Sequence, residues 1–314
     1  MSTSTGAVTA PAPTAAPPRR RRLTERARAE RRLATWLIAP AALVMIAVTA
    51  YPVIDAILLS LQRSDLRFPN ATKFIGLANY GHVLSAPVFW QDVLHTVIIT
   101  VISVSLQFVL GMCLALAMHR VIFARGLVRG IALVPYAIVA VVAAESWQLA
   151  WSLQSGWIPK LLGLSGDPLS HTFGTYVAVI TTEVWKNTPF MALLLLAGLA
   201  LVPDELLEAG KVDGASTWQR FTRITLPLMK PAILVALLFR TLDAFRIFDT
   251  IYIFNQGAQG TESISMLNYN TLLDRLNLGL GSAVSVVLFL MVAVIAFVFI
   301  KGFGAGVAPG SEAS

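Results

Sequence analysis

The chain has 314 residues, of which 56% are hydrophobic and only 13% are charged. A soluble globular protein of this length cannot bury so much apolar surface, so the composition excludes that class and indicates a polytopic membrane protein. The net charge of +7 does not point to nucleic acid, because most of the basic residues lie beside apolar runs. The single cysteine, Cys113, excludes a disulfide within the chain, and no pattern of Cys and His suggests a metal site.

The first 32 residues are predicted to form a disordered, basic arm on the cytoplasmic side. Residues 1–18 are mainly Ser, Thr, Ala and Pro and carry too little hydrophobicity to fold. Residues 19–32 hold eight arginines against two glutamates. Such a run can bind nucleic acid or acidic lipid. An anchor that keeps the N-terminus in the cytoplasm accounts for it better, so no nucleic-acid partner is expected.

Six apolar runs follow, and each is long enough to cross about 30 Å of hydrocarbon. The first run could instead be a signal peptide cleaved after Ala50, but it is too long for a typical one. Pro135 and Pro189 remove backbone donors from the third and fourth runs, so kinks are expected there. Residues 33–304 are predicted to form one membrane domain, followed by a short cytoplasmic tail at 305–314. The runs are 33–61, 93–118, 127–151, 174–200, 228–254 and 280–301.

The basic residues predict how the six runs are oriented. With the N-terminus in the cytoplasm, the cytoplasmic segments hold sixteen Lys and Arg residues, whereas the outer loops hold five. The positive-inside rule therefore predicts that both ends of the chain are cytoplasmic. The polar stretch 203–226, between the fourth and fifth runs, then also faces the cytoplasm.

The stretch 203–226 predicts two short helices at the membrane surface. Pro203 and Asp204 suit the start of the first helix. Acidic side chains at Glu205 and Glu208 favour its first turns. Four residues could give this helix an apolar side: Leu206, Leu207, Ala209 and Val212.

A second helix is predicted to begin at Ser216, because Ser216 and Gln219 have the spacing of a capping box. Gly214 permits a tight turn before it at little steric cost. Pro227 and Pro231 are expected to bound the start of the fifth apolar run. Helices this short are marginal alone in water and need a partner to dock on. Three apolar residues would share one face of the second helix: Trp218, Phe221 and Ile224.

At these residues the sequence resembles the EAA loop of ABC importer permeases, in the branch that transports maltose-type sugars. The resemblance includes the segments 73–80, 248–257 and 279–290 and extends over roughly residues 33–304. It implies that the loop is a coupling helix, which sits in a groove of a cytoplasmic ATPase. Gly210 departs from the usual alanine and should loosen the first helix by roughly 1 kcal/mol. The predicted coupling residues are Glu208, Ala209, Gly210, Asp213, Gly214, Ala215, Trp218 and Phe221.

The resemblance also implies the fold, the partners and the location. It predicts an all-α protein, the six-helix type I ABC importer permease, in the bacterial plasma membrane. A second, related permease would complete the translocation path, and a lipid-anchored binding protein outside the cell would deliver the sugar. The sequence contains no Walker A motif, so ATP and Mg are expected in two copies of a separate ATPase, with no cofactor in this chain. The chain is therefore expected to be a transporter subunit without catalytic residues.

The predicted substrate is a disaccharide such as trehalose or maltose. Glycerol phosphate or another oligosaccharide is the nearest alternative within the family, because Arg240 or Arg246 could bind a phosphate. A secondary transporter that works without an ATPase is the alternative outside the family, since charged residues inside the membrane are compatible with ion coupling. The EAA loop argues against that second alternative.

Polar residues inside the apolar runs predict where the substrate passes. Asn187 and Arg240 each lie roughly 20 Å from the inner ends of their runs, so they should meet near the same depth. Sugars are bound by polar groups at their hydroxyls and by aromatic rings at their C–H faces. Three aromatic residues, Trp185, Phe190 and Phe245, are expected near this depth. The residues predicted to line the path are Asn187, Phe190, Arg240, Asp243, Ala244, Arg246 and Glu145.

The fifth run also carries alternating charges at three-residue intervals, so that neighbouring charges could pair along one helix face. Such a ladder could be structural, facing the interior of the bundle, and need not be part of the path. Arg246, Asp249 and Glu145 fit either interpretation. The four members of the ladder are Arg240, Asp243, Arg246 and Asp249.

Overall fold

A computed structural model describes residues 25–121 and 124–304 of the chain. Residues 1–24 of the predicted arm lie outside the described residues, and so does the predicted tail at 305–314. The described part is almost entirely helical, which confirms the predicted all-α fold.

Thirteen α-helices and one two-stranded antiparallel hairpin, joined in places by short 3-10 and π-helical turns, make up the regular structure of the described residues. The described residues divide into two compact units at residue 54, which lies within α1 (Glu25–Ser60). The strands are β1 (Gln62–Arg63) and β2 (Lys73–Phe74). The other helices are α2 (Ala78–Ser85), α3 (Pro87–Arg120), α4 (Arg125–Ala137), α5 (Ala140–Trp151), α6 (Ile158–Leu162), α7 (Thr172–Leu199), α8 (Asp204–Val212), α9 (Thr217–Arg220), α10 (Leu226–Ala244), α11 (Asp249–Asn255), α12 (Ile264–Tyr269) and α13 (Leu278–Gly304).

Four helical segments of the described chain are long and apolar enough to cross a membrane, and there are up to six if each of two bent helix pairs counts as one span. The bent pairs are α4 with α5 and α7 with α8, which change direction by 82° and 73°. The 28 residues of α7 alone extend about 42 Å, which is enough to cross without α8. The predicted number of six spans corresponds to the upper count. The four long segments are Leu33–Ser60, Pro87–Arg120, Thr217–Asn255 and Leu278–Gly302.

The third apolar run is broken rather than kinked. Helix α4 ends at Ala137, and α5 begins at Ala140 after the 82° change of direction. Pro135, less than one turn before the end of α4, has no backbone N–H to donate, and Ile138 then adopts an extended backbone with ψ of 136°. In contrast, Pro189 lies inside α7, which continues as one helix.

The fifth apolar run is continuous with the helix that follows the glycine turn, so the prediction of a separate second short helix is wrong. Helix α9 passes through a π-helical turn at Phe221–Thr225 directly into α10. Pro227 lies in the first turn of α10, as expected for the start of this run, whereas Pro231 lies inside the helix and does not bound it. The π turn shifts the hydrogen bonds from i+4 to i+5 shortly before these prolines, which have no N–H to donate. Helix α10 ends at Ala244 and α11 begins only at Asp249.

Helices α3, α7 and α10 pack together at the centre of the unit formed by residues 55–314. Their contact surface is apolar and includes residues that are almost completely buried. Glycines let the helices approach closely, because a Cβ on Gly111 of α3 would lie 2.8 Å from Met191 Cγ of α7. The buried contact residues include Met112, Ala115, Met191, Leu195, Met229 and Ala236.

Replacing Gly198 by alanine is expected to push α7 away from α10, because the new Cβ would lie 2.5 Å from the Cβ of Ala232. Neither atom can rotate away, and overpacking of this kind typically costs about 1–3 kcal/mol. We expect Gly198→Ala to lower the apparent unfolding temperature of the purified protein. The double variant Gly198→Ala with Ala232→Gly should recover much of the loss. If it unfolds at the temperature of Gly198→Ala, this contact does not limit the packing.

Candidate functional site

Arg240 of α10 is a charged side chain buried in the apolar centre, with 1% of its surface exposed. Its Nε donates a hydrogen bond to Oε1 of Gln107 on α3 at 2.9 Å. Its Nη1 forms an ion pair with the carboxylate of Asp243, one turn further along α10. The side chain of Asp243 is 69% exposed, so the cation of the pair is buried and its anion is exposed.

Glu183 of α7 connects two further elements to this centre. Asn187 Nδ2 donates to Glu183 Oε2 at 2.8 Å, and Thr250 Oγ1 of α11 donates to Glu183 Oε1 at 2.7 Å. Gln107 Nε2 donates to the backbone carbonyl of Glu183 at 3.1 Å. The fully buried Gln107 therefore bonds to Arg240 on α10 and to Glu183 on α7, and it ties the two helices together.

A cavity of about 160 Å³ lies beside this network and is lined by residues of α5, α7, α10, α11 and the turn between the last two. Three of the lining residues are acidic, two are basic and one is aromatic. We define these residues, together with Arg240 and Gln107 behind them, as the polar cavity site. The lining residues are Ala140, Glu183, Lys186, Asn187, Asp243, Arg246, Ile247, Phe248, Asp249 and Thr250.

Three of the predicted path residues, Asn187, Asp243 and Arg246, line this cavity. Arg240 lies behind Asp243 and holds it by the ion pair. Gln107 bonds to Arg240 and to the carbonyl of Glu183, one turn from Asn187, so Asn187 and Arg240 lie close to one hydrogen-bonded network. These four predicted residues therefore form one connected polar site.

The other predicted path residues do not reach this cavity. Phe190 stacks on Tyr136 with ring centroids 4.9 Å apart. Ala244 is 4% exposed and belongs to the apolar core of α3, α7 and α10. Glu145 lines a separate cavity, because the break before α5 changes its position from that in a straight span. Phe245 is also buried in an apolar cluster.

The predicted charge ladder is wrong beyond its first pair. Arg240 and Asp243 form an ion pair, but among the described residues Arg246 and Asp249 form none. The reason is that α10 ends at Ala244, so the later charges no longer follow a helical spacing.

Five polar or aromatic residues of this site were not predicted from the sequence, and Gln107 is the most informative of them. A single uncharged glutamine in an apolar run is only weak evidence for a functional site. However, burying its polar amide without hydrogen bonds would cost free energy, and this could have pointed to a bonding partner. Phe248 supplies the aromatic surface that Phe190 and Phe245 were expected to supply. Its ring lies 5.0 Å from Tyr269 and 5.4 Å from Tyr252. The five residues are Gln107, Glu183, Lys186, Phe248 and Thr250.

The coupling loop, residues 203–226, begins as predicted. Helix α8 starts at Asp204 directly after Pro203. Gly214 has φ of +79°, the left-handed conformation that permits the turn. Both bonds of the predicted capping box are present, since Ser216 N donates to Gln219 Oε1 at 2.7 Å and Gln219 N donates to Ser216 Oγ at 3.2 Å.

Gly210 is the buried residue of α8, and the helix that follows the turn packs over it. A Cβ at this position would lie 2.9 Å from Ile224 Cδ1 and 3.4 Å from Arg220 Cγ. The glycine therefore admits close packing between the two helices of the loop. The expected loosening of α8 by glycine is offset by this contact.

The remaining coupling residues form a surface that the chain itself leaves open. Val212 is 87% exposed and Trp218 is 71% exposed, whereas Phe221 is half-buried with its ring 5.7 Å from that of Trp218. The predicted apolar side of α8 is thus mostly directed away from the chain. A mixed apolar and acidic surface of this kind suits a protein partner. Its other exposed members are Leu206, Glu208, Ala209, Asp213 and Gly214, and Ala215 is half-buried.

Comparison with known proteins gives a consistent result. The family model for the inner membrane component of binding-protein-dependent transport systems matches residues 75–303. The trehalose transport system permease protein SugA of Mycobacterium tuberculosis (strain ATCC 25618 / H37Rv) is 56% identical over 91% of this chain and 93% of its own. The trehalose/maltose transport system permease protein MalF of Thermococcus litoralis is 41% identical over 87% of this chain and 94% of its own.

A solved structure confirms the predicted permease fold. It is a chain of a bacterial ABC transporter involved in the import of the acidic polysaccharide alginate. The TM-score is 0.74 with 22% sequence identity, and the likeness covers 87% of this chain and 97% of that chain.

Replacing Asp243 by asparagine is expected to destabilise the protein more than replacing Arg240 by methionine. The first change leaves a buried guanidinium without a counter-charge, at a cost near the lower end of the about 3–5 kcal/mol typical of a broken buried pair, while the second leaves a carboxylate that is already exposed. The apparent unfolding temperatures of the purified variants measure the difference. The double variant Arg240→Met with Asp243→Asn should be no less stable than Arg240→Met alone. A double variant that sums both losses would contradict this asymmetry.

Proposed function

The chain belongs to the family of binding-protein-dependent transport system inner membrane components, and we propose that it forms, with a second permease, the path of an ATP-driven importer for a neutral disaccharide. It is a sugar permease of the maltose and trehalose type. The observation that carries the proposal is the polar cavity site, which joins α7, α10 and α11 inside an apolar bundle. Trehalose is the favoured substrate, because the relative with 56% identity is a trehalose permease.

The polar cavity site suits the hydroxyl groups of a sugar. Carboxylates at Glu183 and Asp243 accept hydrogen bonds, while Asn187 and Thr250 have groups that can donate or accept them. Phe248 offers a ring face, and aromatic rings pack well against the C–H side of a pyranose. The site is small and held by hydrogen bonds between several helices, so it can orient a passing sugar.

A phosphate-bearing substrate fits the site less well. Arg240 is buried and neutralised by Asp243, so it is not free to bind a phosphate. The three carboxylates that line the cavity balance the positive charges of Lys186, Arg246 and the neighbouring Arg240, so the site has no excess of positive charge to attract a dianionic ligand. A neutral disaccharide is therefore favoured over glycerol phosphate.

The coupling loop supplies the contact with the ATPase in this proposal. The sequence has no Walker A motif, so two copies of a separate subunit would bind ATP and Mg. An extracytoplasmic, lipid-anchored binding protein would deliver the sugar on the opposite side. The bias of basic residues supports a multi-pass protein of the bacterial plasma membrane, with both termini and the coupling loop in the cytoplasm.

Motion of the loop would reach the polar cavity site through rigid helices. Helix α9 continues through the π turn into α10, which carries Arg240 and Asp243. Only residues 200–203 separate α8 from α7, which carries Glu183 and Asn187. Displacement of the loop by the ATPase would therefore move both walls of the site. A secondary transporter is not favoured, because only one pair of the predicted charge ladder is present among the described residues.

Deletion of this chain in its host is expected to abolish uptake of radiolabelled trehalose while leaving uptake of glycerol phosphate unchanged. The reason is that the polar cavity site favours an uncharged sugar over a phosphate-bearing one. Maltose uptake measured alongside tests whether a second disaccharide is also accepted. Unchanged uptake of both disaccharides would remove the substrate proposal, although not the family.

Charge reversal in the coupling loop is expected to uncouple transport without removing the protein from the membrane. Glu208→Lys changes an exposed residue of α8, so it should leave the fold intact and lower ATPase co-purification and uptake at least tenfold. Asp274→Lys is the matched control, since Asp274 is an exposed acid in the loop between α12 and α13, far along the chain from α8. Normal assembly and uptake with Glu208→Lys would rule out the coupling role.

A further inference from the structure

A groove of about 810 Å³ lies in the described part of the chain, separate from the polar cavity site. One wall is a single face of α3, and the other is formed by α9, the π turn and the start of α10. The groove is lined almost entirely by apolar atoms between its two ends. The residues of the α3 wall are Phe108, Val109, Met112, Cys113, Leu116 and Arg120.

The length of the groove matches one leaflet of a bilayer. From Phe108 to Arg120 the α3 wall extends about 18 Å, and from Thr217 to Leu226 the opposite wall extends about 14 Å. Half of a hydrocarbon core of about 30 Å is about 15 Å. An acyl chain that enters the groove from the membrane surface would therefore remain inside it along most of its length.

The polar end of the groove carries two arginines and no acidic residue. Arg120 is the last residue of α3 and is exposed. Arg220 is half-buried, and its Nε has no hydrogen-bond partner among the described residues. Its Nη1 and Nη2 reach the Leu207 carbonyl and Thr217 Oγ1 only at 3.4 Å, which leaves them weakly bonded. In the described part of the chain neither guanidinium forms an ion pair.

We propose that this groove binds one anionic phospholipid, with an acyl chain between α3 and α10 and the headgroup phosphate on Arg120 and Arg220. Arginine pairs well with phosphate because its planar donors match two phosphate oxygens. Trp218 also lines the polar end, and tryptophan favours the headgroup level of a membrane. The inference requires only that the chain spans a membrane, and it does not depend on the identity of the substrate.

The bound lipid would rest against the coupling loop. Arg220 packs over Gly210, and Trp218 and Phe221 belong both to the groove and to the predicted coupling surface. Occupancy of the groove would hold α9 against α3 at the level of the headgroups. The lipid is thus placed to stabilise the position of the loop that the proposed ATPase contacts.

Cys113 gives a direct readout, because it is the only cysteine of the chain and lines the groove. The complete importer is placed in nanodiscs of phosphatidylcholine alone or with phosphatidylglycerol, and alkylation of Cys113 by a maleimide is followed by mass spectrometry. We expect phosphatidylglycerol to slow the alkylation at least fivefold. In the double variant Arg120→Gln with Arg220→Gln this protection should disappear. Each basic residue near an anionic surface raises the binding constant for that surface about fivefold.

Arg129→Gln is the matched control, because Arg129 is an exposed arginine of α4 that does not line the groove. It should keep the protection of Cys113 by phosphatidylglycerol. Arg120→Gln alone is the second variant if the double variant fails to assemble, since Arg120 is exposed and lies outside the coupling loop. Equal alkylation rates in the two lipids would overturn the proposal. Slow alkylation in both lipids, unchanged by the arginine variants, would show that an anionic headgroup does not control access to Cys113, and it would overturn the proposal too.

Discussion

The burial of one guanidinium constrains the centre of this molecule. A charge within an apolar bundle is costly unless it is paired and hydrogen-bonded, and Arg240 meets both conditions. Gln107 reaches it from α3, and Asp243 reaches it from one turn further along α10. Because Gln107 also bonds to the backbone of Glu183, the position of α7 depends on the same side chain. Three helices are therefore held in register around a single positive charge.

The features of the coupling loop that could be predicted from the sequence are those that depend on interactions between residues close together in the chain. Pro203 before Asp204 and the capping box at Ser216 satisfy backbone groups within a few residues, so no distant contact is needed to specify them. The end of the second helix was not predicted, because proline usually stops a helix. The π turn at Phe221–Thr225 lets the chain continue past Pro227 as one helix. No pattern in the neighbouring sequence predicts such a turn.

Residues of the polar cavity site were predicted correctly where they lie on regular helices. They were missed where a helix ends or bends. Depth along straight helices brought Asn187 and Arg240 together, and the structure places both close to one hydrogen-bonded network. The predicted positions of Ala244 and Phe245 were wrong, because α10 ends between them and the chain turns. The predicted position of Glu145 was wrong because α5 departs by 82° from the preceding helix. The positions of these side chains depend on where helices end and bend, and the spacing of residues in the sequence does not show this.

The hydrogen bonds between α7 and α10 also bear on how a transport motion can occur. Gln107 is fully buried and bonds both helices, so sliding one past the other would remove the partner of Arg240 Nε and add a second unpaired buried donor to Nη2, which already lacks a partner among the described residues. Movement of the two helices as one body preserves these bonds. The coupling loop connects to α7 through residues 200–203 and to α10 through the π turn, so it can move both helices as one body. In the proposed importer, the change between open and closed states is therefore expected to occur mainly against the second permease, and less within this chain.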